Sequence, residues 1–588
     1  MVTNINRKKA MKRHIYPCFL LLAVAMLLLS SCANHPDVPS YAKEVKSLPT
    51  IFPDYCNVTV PYNIAPLNFM LPVDEYEECV ARLTMPDGQQ QTYGNGVKVQ
   101  IPESEWHDML NASKGKSIKV EVWGKKDDGW LSFSPFEIRV AEEPIDEYVS
   151  YRLIEPSYVA WTYMEIAQRN LTSFEETQIF NNEITMNDRK IGQCINCHSY
   201  QNYKTDNMLF HVRLANAGTI IVNDGKISKV NLKRDYTISS GVYPAWHPTA
   251  KLIAFSTNLT HQVFHTAHPN KVEVFDTASD LILYDVATDS VCIISNDSIL
   301  LEVFPTWSPD GRYLYYCKSV PLPEELRGED ISATWSKVQY NLYRRSFELT
   351  SRTFGEEELV YDAASADKSV TLPRVSPDGR YILFAEGQHG CFHIWHHDAD
   401  IACLPLAQDS VIDLSCLNSE GFAESYPTWS SNGHWIMCAS RRIDGNYSRV
   451  FISYFNNGKA RKAFLLPQED PEHNVFRLKS YNRPEFMVEP VGIIVDQFRK
   501  VFQRSTYVVF TRSSLVWRWS CFSDLPIHII CIIRSSSSFS SSTAPMCGTL
   551  SDGPEALPTC SDVSARSSFC LPGWEQLSLG CCSCWCSC

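Results

Sequence analysis

Along most of the chain, hydrophobic positions alternate with polar ones and do not recur every three or four residues, which is the pattern of short strands. Asn57-Val58-Thr59-Val60, Val97-Lys98-Val99-Gln100 and Ile118-Lys119-Val120-Glu121-Val122-Trp123 are examples. Turn signals such as Pro86-Asp87-Gly88 and Asp127-Asp128-Gly129 separate them. Residues 51–141 therefore read as a small antiparallel, β-sandwich-like domain. Within it, Cys56 and Cys79 either pair or remain two buried thiols. Over 142–207 the alternation fades, and Tyr158 to Asn170 reads as a short helix. Strand-like sequence resumes near Phe210.

From 208 to 492 a unit repeats. Its copies are Pro244-Ala245-Trp246-His247-Pro248, Pro305-Thr306-Trp307-Ser308-Pro309-Asp310-Gly311-Arg312, Pro373-Arg374-Val375-Ser376-Pro377-Asp378-Gly379-Arg380 and Pro427-Thr428-Trp429-Ser430-Ser431-Asn432-Gly433, spaced 61, 68 and 54 residues apart. Each is a strand, a tight turn and a second strand, with Asp-Gly or Asn-Gly supplying the positive φ of the turn. Further strands, such as Leu281–Val286 and Val450–Tyr454, lie between the copies. A repeating four-strand unit of this kind is a β-propeller blade. Four copies are explicit, Phe210 to Leu232 offers a fifth, and closure at five or six blades is expected. Trp246, Trp307 and Trp429 are expected to pack between blades. The unit resembles the TolB-type (WD-like) propeller repeat of periplasmic bacterial proteins. Two copies match it almost fully. The copy at Pro244 has His247 for serine and lacks Asp-Gly, and the copy at Pro427 has Ser431-Asn432 for Pro-Asp.

The N-terminus bears on the compartment. Arg7, Lys8, Lys9, Lys12 and Arg13 precede an apolar run of twelve residues, Cys18 to Leu29. That is too short to span a bilayer, which needs about 20 residues, but suits a secretory signal. Leu29-Ser30-Ser31-Cys32 resembles the lipobox of bacterial lipoproteins. The resemblance implies a signal over 1–31, acylation of Cys32 and a tether over 32–50. The alternative is an ordinary signal peptide that happens to end at a cysteine. A lipid-anchored, exported chain is expected, on the outer membrane facing the periplasm.

Gln193-Cys194-Ile195-Asn196-Cys197-His198 contains the Cys-x-x-Cys-His motif of c-type cytochromes. The resemblance implies one covalent haem c on Cys194 and Cys197, with His198 as proximal iron ligand and residues 142–207 as a short helical haem-binding segment. Met208 and His211 are candidate distal ligands. His261, His265 and His268 form a further loop cluster. A disulfide or redox pair, a zinc site and an inert pair are the alternatives.

The formal charge of -13 disfavours nucleic acid as a partner. Of the 22 cysteines, ten fall in residues 501–588, which contain 20 serines and no lysine or asparagine. That composition suggests a shifted reading frame from about 493; a cysteine-rich knot is the alternative. Cys391 and Cys403 could face each other across a hairpin. The whole arrangement resembles Gram-negative lipoproteins described as TolB-like or cytochrome-c-containing. It implies a membrane-anchored electron-transfer protein whose propeller docks a redox or envelope protein partner. A non-enzymatic protein- or glycan-binding scaffold, with structural haem or none, is the second reading. A haem peroxidase, which needs an open distal site, is the third.

Overall fold

The computed structural model describes residues 35–504 apart from 128, 156–162, 187–191, 327, 328 and 494. The signal segment, Cys32 and the chain from 505 onward lie outside the described residues. The protein is mainly β, with six propeller blades and a smaller N-terminal β-domain.

Seven of the N-terminal strands form one sheet, and Phe69–Met70 pairs with Lys98–Val99 in a separate two-stranded sheet. The long strand of the larger sheet, Ser117–Lys126, pairs with Glu78–Thr84 on one side and with both Phe136–Val140 and Gly129–Phe133 on the other. Helix Glu103–Ala112 adds Trp106, Met109 and Leu110 to the core. The segment expected to be a free tether is instead docked from His35 onward: Lys43–Val45 pairs in parallel with Leu131–Phe133. Cys56 and Cys79 are separate buried thiols.

The propeller begins at Tyr148, well before 208. Blade 1 takes three strands from this region, Tyr148–Ile154, Met164–Asn170 and Glu176–Asn181, and its innermost strand from Ser480–Met487 near the other end of the chain. Blade 2 is Gln193–Gln201, Lys204–Leu214, Gly218–Asn223 and Lys226–Val230; blade 3 is Val242–Trp246, Leu252–Phe264, Val272–Asp285 and Ser290–Ser295. Blade 4 is Glu302–Trp307, Tyr313–Ser319, Tyr340–Glu348 and Thr353–Tyr361. Blade 5 has three strands, Ser369–Val375, Tyr381–Gly387 and Asp400–Pro405; blade 6 is built on Glu424–Trp429, Trp435–Ser440 and Arg449–Asn456. The innermost strands touch in circular order from blade 2 through 6 to 1 and back to 2.

Among the described residues, the segment 142–207, expected to be helical, holds strands and turns and no helix. The expected helix Tyr158–Asn170 contains strand Met164–Asn170, and residues 156–162 lie outside the described residues. Blade 1 lacks the repeat signature because its inner strand comes from the C-terminal side, and blade 2 because its inner strand carries the cysteine motif. The N-terminal sheet shares a core with blades 6 and 1, where Val60, Val149, Trp435, Ile452 and Tyr481 belong to one cluster. Helix Val495–Arg504 follows the propeller and buries Phe498 and Phe502 against Phe180 and Phe210. Residues 495–504 thus pack as part of the fold, and the compositional break expected between about 492 and 504 falls along this helix.

The repeat turns explain their sequence. Ser308 Oγ donates to Asp310 at 2.6 Å and accepts from Tyr313 N at 2.9 Å, while Gly311 takes φ +72°. Ser376-Asp378 and Ser430-Asn432 repeat the contact. In the divergent copy His247 Nδ1 accepts from Thr249 N and Ala250 N, so an imidazole holds the turn that a hydroxyl holds elsewhere.

Candidate functional site at the propeller axis

Every innermost strand has a residue at positive φ: Cys197 (58°), Tyr243 (50°), Phe304 (55°), Leu372 (56°), Tyr426 (51°) and Arg483 (50°). In five blades the next residue is proline: Pro244, Pro305, Pro373, Pro427 and Pro484. In blade 2 it is His198. The strand registers shift at this point in blades 2 to 6, between Asn196/Ser199, Val242/Ala245, Val303/Thr306, Thr371/Arg374 and Ser425/Thr428. The device is a β-bulge, and proline suits it because an unpaired bulge residue needs no N–H. Cys197-His198 thus occupies the slot that X-Pro fills elsewhere.

The bulges narrow the axis to a cavity of about 20 Å³ lined by Tyr243, Phe304, Leu372, Tyr426, Arg483 and the prolines. Cys197 packs in the cluster that contains Tyr243, Phe304, Phe392 and Tyr426. Cys194 belongs to another cluster, with Ile154, Met164, Phe180 and Met208. His198 is 1% exposed, and its Nε2 has no hydrogen-bond partner. Burial foremost, then the charge of Arg483, pushes the imidazole down to about 3, so it stays neutral at ordinary pH.

Covalent haem needs two thioethers on one macrocycle and an imidazole at its iron. The neutral His198 with a free Nε2 has suitable donor chemistry. The thiols do not fit, because they are sealed into two different close-packed clusters and line neither the axial cavity nor the funnel below it. Met208 is fully buried in the Cys194 cluster. His211 lies three residues on, so the alternation of a strand places it on the opposite face, with Nδ1 3.0 Å from Thr219 Oγ1. Burial holds its imidazole well below the ordinary histidine range. His261 stacks on Phe275, and His265 lies beside His268 and Trp335, all on or near the long hairpin of blade 3. Cys391 and Cys403 form no disulfide with each other and sit in different clusters.

On the side of the repeat turns the axis opens into a funnel of about 500 Å³. Tyr200, Tyr203, Trp246, Trp307 and Trp429 supply aromatic surface, and Lys204, Arg374 and Glu485 supply charge. Glu485 bonds Arg374 at 2.6 Å and Arg483 at 2.8 Å. Burial alone would raise its carboxyl, but the two guanidinium groups outweigh that and hold it below the usual range. The tryptophans also join blades: Trp307 Nε1 donates to Ala245 O and Trp429 Nε1 to Arg374 O, both at 3.1 Å. Trp246, which follows blade 2, has no acceptor for its indole N–H.

On the other side lies a cluster that the sequence reading passed over: Glu273, His389 and His396. The spacing of His389, His393 and His396 was a visible signal. Glu273 was not, because it is one of many strand carboxylates.

No protein-family model matches the chain, and no curated protein does. Two of the solved structures similar to it are β-propeller domains. The β-propeller domain of the Trilobed protease from Pyrococcus furiosus has 9% identity and a TM-score of 0.30, over 60% of this chain and 91% of that one. The Myceliophteria thermophila Cps50 (Swd1) β-propeller domain has 9% identity and a TM-score of 0.25, over 55% and 90%. A luciferin-regenerating enzyme has 9% identity and a TM-score of 0.33, over 55% and 96%. The six-bladed β-propeller is defined by the strand order of this chain itself.

Proposed function

We propose that this is a non-catalytic binding propeller, held at the cell envelope by acylated Cys32, whose funnel receives a protein or glycan partner. The burial of the cysteine motif in the inner ring carries this reading. Cys194, Cys197 and His198 are closed off by packing, whereas the funnel is open and lined by aromatic, charged and hydroxyl groups suited to recognition. Only Ala33 and Asn34 lie between Cys32 and the docked His35, so an anchor would hold the N-terminal sheet within about 10 Å of the lipid surface.

The full chain, expressed in a host with cytochrome c maturation machinery, should show no haem that survives denaturation. A Soret band retained through denaturation overturns this reading in favour of the electron-transfer protein. In a screen of envelope glycans and peptides, bound ligands should lose at least about tenfold in affinity, roughly 1.4 kcal/mol, on Tyr203→Ala or Lys204→Glu. Ligands indifferent to both changes sink the funnel assignment. Cys32→Ala should move the protein from the membrane to the soluble fraction.

A further inference from the structure

Glu273 stands on the long hairpin of blade 3, Leu252–Phe264 with Val272–Asp285. His389 and His396 stand on the segment joining the second and third strands of blade 5. That segment is tied to the neighbouring blade 4 connection by Gly390 N donating to Val338 O at 2.8 Å, and by His389 lying 5.5 Å from the Trp335 ring. Three blades therefore fix three side chains at one point. His396 Nε2 is 2.9 Å and His389 Nε2 is 3.3 Å from the same oxygen, Glu273 Oε2. Glu273 is 1% exposed and His396 is fully buried.

A plain ion-pair network explains this arrangement poorly. Both imidazoles aim at one carboxylate oxygen, and the other, Glu273 Oε1, is buried with no partner, as is His396 Nδ1. A carboxylate stabilised only by hydrogen bonds gains most by using both oxygens. Gly390 borders the pair: a Cβ there would be in ordinary contact with Glu273 Oε1 at 3.5 Å and His396 Cε1 at 3.7 Å. The donor separations resemble the edges of a tetrahedron around zinc, about 3.3 Å for bonds of about 2.0 Å. His393 is not a fourth donor through Nε2, which lies 3.0 and 3.1 Å from the carbonyls of His389 and Gly390 and positions that loop.

We propose that Glu273, His389 and His396 bind one divalent transition-metal ion, with zinc the ion that two imidazoles and a carboxylate suit. Imidazole donors disfavour magnesium and calcium, which take oxygen ligands. Three protein ligands leave one coordination position for water or an incoming group. The ion would join the hairpin of blade 3 to the loop of blade 5.

The full chain, stripped with chelator, is titrated with zinc chloride by calorimetry and with cobalt(II) by visible absorption. One equivalent of zinc should bind, and cobalt should give the intense bands of a four-coordinate site. Glu273→Gln and His389→Ala should each weaken zinc by more than the ~10- to 100-fold that loss of an outer-shell partner costs. His265→Ala and His268→Ala should leave binding unchanged. Zinc should raise the melting temperature of the parent chain and not that of His389→Ala. His389 is only partly buried, so its variant keeps the test informative if Glu273→Gln fails to fold. No saturable equivalent in the parent, or one that survives His389→Ala, overturns the proposal.

Discussion

Blade 2 and the other five blades solve one backbone problem with different side chains. All place a positive-φ residue at the axis, and five follow it with a proline that needs no hydrogen bond. Blade 2 places a neutral imidazole there, and the mismatch passes to its neighbour. Trp307 and Trp429 reach the carbonyl that follows the proline of the preceding blade; Trp246, facing blade 2, reaches none. The difference teaches that the motif strand is an exception inside a repeat, keeping the bulge of the other inner strands without their proline.

Three experiments break or sharpen that contrast. The largest effect is expected at Glu485, which follows the proline of blade 1 where blade 2 has Ser199. Glu485→Ala leaves Arg374 and Arg483 unpaired and should cost about 3 kcal/mol in chemical denaturation, the low end for a broken buried pair because the funnel admits water. An unchanged midpoint would show that the guanidinium groups find other partners. Next, Trp307→Phe and Trp429→Phe should each cost about 2 kcal/mol, and Trp246→Phe about 1 kcal/mol less, because only the first two leave a carbonyl unsatisfied. Equal losses in all three would refute the asymmetry.

The smallest effect concerns pH. His198 and His393 are each pushed down to about 3, chiefly by burial, below the unfolded value of about 6.5. The unfolded chain therefore binds more protons in between, and the stability these groups contribute, present above about 6.5, is lost as pH falls towards 3. Each such group steepens the decline by about 1.4 kcal/mol per pH unit in that window. His198→Pro, which installs the residue the other five blades use, should fold and should flatten the decline by one proton. A variant that keeps the parent slope would show that His198 is not buried neutral.

The propeller was legible in the sequence because its turns need particular residues. Ser308, Asp310 and Gly311 each serve the hairpin, so the pattern recurs wherever the hairpin does. Blades 1 and 2 were not legible as blades. One inner strand is supplied from Ser480–Met487, and the other carries Cys-His where the repeat has X-Pro. The motif at Cys194 drew attention to local spacing, whereas its surroundings depend on packing that only the closed ring supplies. The Glu273 cluster shows the reverse: its members are remote in sequence and meet only because blades 3, 4 and 5 bring their connections to one place.

The inner strand Ser480–Met487 has a consequence for how the molecule is made. A chain that leaves the ribosome or crosses a membrane from its N-terminus exposes Tyr148–Ile154 as an open edge until the last described strand has followed. That edge must be kept from foreign strands for the whole interval. The strand that finally covers it also places Tyr481 and Phe486 in the core shared with the N-terminal sheet. Maturation of both parts therefore waits on one late event, and chains cut short before residue 480 should emerge with neither part finished, ready prey for proteases.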